Sequence, residues 1–196
     1  MSTIVVVKKN GKITIAADTM SMFGERKVLP KYMSNRSKIH KCGNSYIGII
    51  GSVAHNNVMG SVIEKHRRLL SFRSTQEIFE TYRKLHPILK EQYYINTSEG
   101  NDDDEYESSQ ISGLIANPYG IFGMYSWREV IEYERFWSIG SGSEYALGAM
   151  YAAYDSNADA QDIAKLGIEA SCEFDSASGL PYNLHTMKIA KTKLPQ

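Results

Sequence analysis

Apolar residues recur along this chain in two rhythms. Ile4-Val5-Val6-Val7 and Ile13-Thr14-Ile15-Ala16-Ala17 are short β-branched runs separated by Lys8-Lys9-Asn10-Gly11-Lys12. Such runs read as strands, and Asn-Gly between them is the strongest short-range hairpin signal. The same rhythm returns at 37–42 and 45–51 around Gly43-Asn44-Ser45, and at Ile111–Ala116 and Ile121–Tyr125 around Asn117-Pro118-Tyr119-Gly120. It closes with Val130–Tyr133, Phe136–Ile139 and Tyr182–Ala190. Between Gly24 and Ser37 the chain makes a polar excursion with no predicted element.

The second rhythm is helical. Val58, Met59, Val62, Ile63, Leu69 and Leu70 fall on one stripe of residues 53–70, with Lys65, Arg67 and Arg68 outside it. Ser74-x-x-Glu77 is a capping box that opens a helix carrying Ile78, Phe79, Tyr82, Leu85, Ile88 and Leu89. Pro87 is expected to kink or interrupt that helix. Two further helices are predicted, Glu144–Tyr154 after Gly140-Ser141-Gly142-Ser143, and about Ala158–Cys172. The order is strands, two helices, strands, two helices, strand. Two antiparallel sheets sandwiched between two helical layers satisfy it, an α+β four-layer αββα sandwich. With 196 residues the chain has material for one domain spanning 1–196.

Charge and composition narrow the partners. The 22 basic and 22 acidic residues cancel, which gives no support for nucleic acid or an anionic membrane. Two cysteines, Cys42 and Cys172, form no disulfide framework and point to a reducing, cytoplasmic setting. No basic-then-apolar leader precedes the first strand and no apolar run reaches the roughly 18 residues of a membrane helix. The segment Glu99 to Ser109 is almost wholly acidic and polar, and reads as a solvated, mobile loop. It lacks the ligand spacing and fixed glycine of a calcium loop. His55, His66 and His86 show no ligand-like clustering and read as surface or boundary residues, so no metal is expected.

The first hairpin carries the first hint of chemistry. Pairing its strands brings Asp18 back alongside residue 2, so a small hydroxyl residue lies beside a carboxylate. A serine hydroxyl needs a base within hydrogen-bond reach to act as a nucleophile. With Met1 removed, Ser2 carries its own, because a free α-amine has a pKa near ~8.

Ser2-Thr3-Ile4-Val5-Val6-Val7 through Ile15-Ala16-Ala17-Asp18 resembles the opening of proteasome β-subunits and of the bacterial HslV-type protease. In that family the hydroxyl nucleophile and the first catalytic carboxylate have the 16-residue separation of Ser2 and Asp18, which picks Ser2 over Thr3. The family usually has Thr there; Ser keeps the hydroxyl and loses the methyl that restricts its rotamer. The resemblance implies that Lys38 supplies the fixed positive charge that lowers the amine's pKa. About four extra residues precede it, and Lys31 and Lys41 compete for the role. It also implies that the Gly51 N–H, at the Gly51-Ser52 turn, forms the oxyanion hole. Met22, Ile49 and Val53 would line an apolar, medium-sized specificity pocket. Gly140-Ser141-Gly142 is similar to the family's Ile-Gly-Ser-Gly turn, whose serine, here Ser141, touches the N-terminal amine. Asp175-x-x-Ser178-Gly179 is similar to its Asp-x-x-Ser-Gly segment, which supports the nucleophile. The motifs span nearly the whole chain in the family's order and look closest to the small bacterial proteasome homologues.

The resemblance therefore implies a self-compartmentalising peptidase acting on peptides or unfolded proteins, with no cofactor, assembled as homo-oligomeric stacked rings. An ATP-driven unfoldase partner is left open. Two alternatives remain: a non-catalytic structural ring subunit if Met1 stays on, and a small-molecule amidase of the same fold.

Overall fold

The computed structural model describes residues 2–98, 100 and 105–190. Strands β1 (Thr3–Lys9) and β2 (Lys12–Asp18) form the predicted hairpin, in register Ile4↔Ala17 through Lys9↔Lys12. Asn10 and Gly11 at its turn both have positive φ, 49° and 71°, the condition of the tight hairpin turn that Asn-Gly favours. A small hairpin follows, β3 (Ser21–Phe23) just before the polar excursion and β4 (Arg26–Val28) within it, where the sequence predicts no element. A 3₁₀ turn covers Pro30–Tyr32.

Strands β5 (Ile39–Cys42), β6 (Ser45–Ile49), β7 (Gly113–Asn117), β8 (Gly120–Met124) and β9 (Val130–Tyr133) form a five-stranded antiparallel sheet in chain order. β10 (Phe136–Gly140) and β11 (Tyr182–Lys188) flank the first hairpin in a four-stranded sheet ordered β10-β1-β2-β11. The four α-helices are α1 (Val53–Lys65), α2 (Thr75–Gln92), α3 (Ser143–Tyr154) and α4 (Ala160–Phe174).

Burial separates into three layers of contact. Ile47 and Ile49 of β6, with Phe122 of β8, pack against Met59 and Val62 of α1 and Ile78, Tyr82 and Leu85 of α2. Ile4, Val6, Ile13 and Ile15 face Leu114, Ala116 and Ile121 between the sheets. Val5, Val7 and Ala16 face Ala146 and Met150 of α3 and Ile163 and Ile168 of α4. Alternate residues of β1 thus enter two different cores, because side chains of a strand alternate faces. The result is helices, sheet, sheet, helices: the αββα sandwich.

Two expectations change. α2 runs through Pro87 without interruption. Pro87 is exposed, so the carbonyl left without its helical partner faces water rather than the core. The part of the 99–109 segment that lies among the described residues is also not simply a solvated loop. Ser108 and Ser109 are fully buried, with Ser108 N–H donating to the Thr97 carbonyl at 2.8 Å and Ser109 N–H to the Ser126 carbonyl at 2.7 Å. Glu99 and 101–104 lie outside the described residues.

Candidate active site

The site is assembled where the first hairpin, β5 and the turn after β10 converge. Asp18 ends β2 and is fully buried. Its Oδ1 accepts from Thr3 N at 3.0 Å and from Lys38 Nζ at 2.7 Å. Its Oδ2 accepts from Met20 N at 3.1 Å and Gly179 N at 3.3 Å. The carboxylate therefore ties together the start of β1, the residue before β5 and the segment after α4. Burial pushes the Asp18 carboxyl up from its ordinary value, opposed by the Lys38 charge and these hydrogen bonds. Burial likewise pushes the Lys38 ammonium down, opposed by Asp18. Each charge is expensive where it sits, and each is what makes the other tolerable.

A second cluster holds the other side of the N-terminus. Asp175, at the C-terminal end of α4, accepts from Ser141 Oγ at 2.6 Å and Ser178 Oγ at 2.7 Å through one oxygen, and from Ala177 N at 3.2 Å through the other. Burial works against its charge, but the hydrogen bonds from Ser141, Ser178 and Ala177 outweigh it and hold the carboxyl below its ordinary value. Ser178 spends its proton on Asp175, so at the 2.7 Å contact between Thr3 Oγ1 and Ser178 Oγ the threonine donates. Thr3 Oγ1 in turn accepts from Gly142 N at 3.1 Å. Ser141 N–H donates to the Ser2 carbonyl at 3.0 Å. Gly140 makes that approach feasible: its φ is +105°, and a Cβ there would stand 1.8 Å from the Ser2 carbonyl oxygen.

The two N-terminal hydroxyls thus differ. Thr3 is fully buried and its hydroxyl is committed as donor and acceptor. Ser2 is 2 % exposed and lines a cleft of about 1060 Å³, and among the described residues no hydrogen bond engages its hydroxyl. Lys38, Gly51, Met22 and Val53 line the same cleft. Gly51 has φ +106°, and a Cβ there would press to 2.7 Å from His55 Nδ1, so only glycine suits the turn. Ser52 caps α1 by accepting from His55 N at 3.3 Å.

Of the residues singled out from the sequence, Ser2, Met22, Lys38, Gly51 and Val53 meet on the cleft, with Asp18 beneath Lys38. Ser141, Asp175 and Ser178 form the adjoining network. Lys38, rather than Lys31 or Lys41, is the lysine on Asp18. Ile49 is a correction. Its side chain is fully buried with Ile47 in the core under α1 and α2 and does not line the cleft. Sequence reasoning did not find the roles of Thr3, Gly142 or the Gly179 N–H, nor the presence on the cleft of His40, Asn56 and Gly60. The last two share an α1 stripe with Val53, a helical spacing visible in the sequence. Among the described residues, no group of three or more His, Cys, Asp or Glu side chains is arranged to hold a metal ion. No described helix is long and apolar enough to cross a membrane.

Comparison with known proteins is consistent across sequence and structure. The profile of the proteasome subunit family matches residues 1–179. The ATP-dependent protease subunit HslV of Thermoanaerobacter sp. (strain X514) is 27% identical over 173 residues, covering 86% of this chain and 88% of that protein. HslV of Bartonella quintana (strain Toulouse) is 24% identical, covering 98% of this chain and 92% of that protein. The solved structure of Thiobacillus denitrificans BPH in complex with epoxomicin superposes with a TM-score of 0.87 at 39% identity, covering 96% of this chain and 99% of that one. HslV from Trypanosoma brucei, at 19% identity and a TM-score of 0.70, shares the fold.

Proposed function

The chain belongs to the proteasome subunit family, and from that premise we propose that it is a peptidase whose nucleophile is the hydroxyl of Ser2, made N-terminal by removal of Met1. The observation that carries the reading is the division of labour between the two hydroxyls: Thr3 Oγ1 is spent on Gly142 and Ser178, while Ser2 borders the cleft with Lys38 and Gly51.

The neutral Ser2 amine takes the Oγ proton as Oγ attacks the peptide carbonyl, forming a tetrahedral intermediate. The Gly51 N–H faces the developing oxyanion, a contribution typically worth 10²–10³ in rate. The protonated amine then gives its proton to the departing amine, the C–N bond breaks, and an ester on Ser2 remains. Water, deprotonated by the same amine, hydrolyses that ester and returns the hydroxyl. The Lys38 charge favours the neutral amine at physiological pH, and Asp18 holds that charge in position. Ser141, Asp175 and Ser178 orient the N-terminus.

The named relatives are subunits of an ATP-dependent protease. This supports assembly into homo-oligomeric stacked rings, with unfolded protein as substrate and an ATP-driven unfoldase as partner. The test combines intact mass from the native host with hydrolysis of a panel of fluorogenic peptides. The expected result is a mass lacking one methionine, with hydrolysis that Ser2→Ala abolishes and Thr3→Ser largely retains. Retention of Met1 with no hydrolysis would overturn the proposal and leave a scaffold subunit.

A further inference from the structure

The turn at Gly51 is held unevenly. Before it, Ile49 N–H donates to the Lys38 carbonyl and Ile50 N–H to the Ser112 carbonyl, each at 3.1 Å. After it, His55 N–H donates to the Ser52 carbonyl at 3.1 Å and lies 3.3 Å from the Ser52 hydroxyl, which caps α1. Gly51 itself has φ +106°, and among the described residues neither its N–H nor its carbonyl has a hydrogen-bond partner. An uncommitted N–H is what an oxyanion donor requires. A glycine so released also has a wider choice of conformations than any other residue. Packing must therefore fix it.

His55 supplies that packing. It stands in the first turn of α1, and its Nδ1 lies 2.7 Å from where a Gly51 Cβ would be. The imidazole fills the space that the glycine leaves. Nδ1 is buried and has no hydrogen-bond partner among the described residues. A neutral ring with its hydrogen on Nε2 leaves only a lone pair there; protonation would bury a charged donor with no acceptor. Burial accordingly holds the His55 pKa below its ordinary 6.5. The N-terminal end of α1 adds to that penalty, because the helix dipole is positive there. On its other side the ring borders a separate pocket of about 470 Å³. The groups facing it there, Ile50, Ser98, Gln110, Ser112 and Ser126, carry no charge.

We propose that His55 is a positioning residue for the reaction: its neutral ring, wedged against Gly51, aims the Gly51 N–H at the cleft, and protonation withdraws the wedge. The inference rests on the Ser2 and Gly51 reading above. A protonated ring turns from the glycine into the hydroxyl-lined pocket, where water and the serine oxygens accept from its N–H groups. Gly51, no longer wedged, then presents its N–H in many directions. The transition state loses its donor while the substrate still binds. Turnover thus needs two deprotonated groups, the Ser2 amine and the His55 ring.

The experiment measures kcat and KM of the processed protein on one fluorogenic peptide as the solution is acidified from about pH 8 to about pH 4.5. At the alkaline end His55→Ala should lower kcat about tenfold with KM within about twofold, a part of the 10²–10³ that a whole oxyanion donor supplies. His55→Phe keeps a ring against Gly51 that cannot be protonated, and should recover most of that loss. Below the His55 pKa the wild-type kcat/KM should fall about a hundredfold per pH unit, the slope of two protonations, and that of His55→Phe about tenfold. Should His55→Ala not fold, the wild-type and His55→Phe slopes decide alone. An acid limb that His55→Phe leaves unchanged, or a His55→Ala kcat equal to that of the wild type, would overturn the positioning role while the Ser2 reading stands. No hydrolysis by the wild type, or hydrolysis that survives Ser2→Ala, would remove the Ser2 reading and this inference with it.

Discussion

Asp18 and Glu107 each hold a lysine close, in opposite solvents. The Asp18 side chain is 0% exposed and its partner Lys38 8%, at 2.7 Å. Glu107 and its partner Lys90 are each 49% exposed. Burial pushes the Asp18 carboxyl up even with a lysine on it, whereas hydrogen bonds from Lys90 and His86 hold Glu107 down. The same pair of residue types therefore has opposite energetic character. Inside, desolvation dominates and the partner is indispensable; outside, water already solvates each charge and the partner adds little. A charge kept at such cost at the base of the cleft is what the proposed chemistry uses, since only a desolvated lysine acts strongly on a neighbouring amine.

The sharpest way to break the comparison is a double-mutant cycle on the buried pair. Lys38→Met leaves an uncompensated buried carboxylate, and Asp18→Asn leaves a buried ammonium. Each should destabilise by about 3–5 kcal/mol, as removal of one partner of a buried pair does. The double variant should lose clearly less than the sum, because neither charge is then stranded. Denaturant unfolding of the four proteins measures this; additive losses would mean the two groups do not depend on each other. All three variants should lose peptide hydrolysis.

A smaller stability effect and a selective loss of activity are expected at Asp175, which is part-buried and joins two hydroxyls rather than a cation. Asp175→Asn keeps the shape but weakens acceptance from Ser141 and Ser178. Stability should fall by about 1.5–3 kcal/mol, the range for hydrogen bonds to a charged group, while kcat falls with KM little changed. The acid side provides a second readout. Because the folded pKa of Asp175 is depressed, its contribution is present above the ordinary value of 3.8 and disappears as pH falls through the lower folded value. The variant should narrow its stability gap to the wild type as the solution is acidified through that window.

The same contrast explains what the sequence could reveal. The hairpin of β1 and β2 was legible because Asn10-Gly11 fixes the turn and strand pairing then brings Asp18 to the N-terminus. The helices were legible because burying one stripe leaves a period. Asp175 and Ser178 could be singled out only through a resemblance, since Asp-x-x-Ser-Gly by itself is a turn. What stayed hidden depends on which neighbour a side chain meets. Ile49 carries no mark saying whether it faces α1 or the cleft. Thr3 is distinguished from Ser2 by the Gly142 N–H and the Ser178 hydroxyl, arriving from 139 and 175 residues away. Pro87 breaks no helix because its exposed face leaves the freed carbonyl to water. Ser108 and Ser109 look solvated beside the acidic run and are instead pinned by the backbones of Thr97 and Ser126.

The surface cluster offers the smallest effect and the cleanest sign. Glu107 Oε2 lies 2.8 Å from His86 Nε2, and Oε1 accepts from Lys90. Arg128 Nη1 approaches His86 Nδ1 at 3.3 Å, and since a guanidinium can only donate, the contact fixes the tautomer with its hydrogen on Nε2, facing Glu107. With the folded pKa held below an ordinary 4.5, the group's contribution, small because solvent screens it, is complete above 4.5 and is lost as pH falls through the lower folded value. Glu107→Gln should leave the thermal midpoint at pH 7 almost unmoved, because both groups are solvated and salt screens them. In the wild type, the Glu107 carboxyl carbon signal followed by NMR should titrate somewhat below 4.5, and added salt should shift that midpoint toward 4.5. For Asp18, with no water to screen it, the same salt should leave the pair with Lys38 unchanged. A salt response of equal size at both carboxyls would mean that the depth of burial does not separate them.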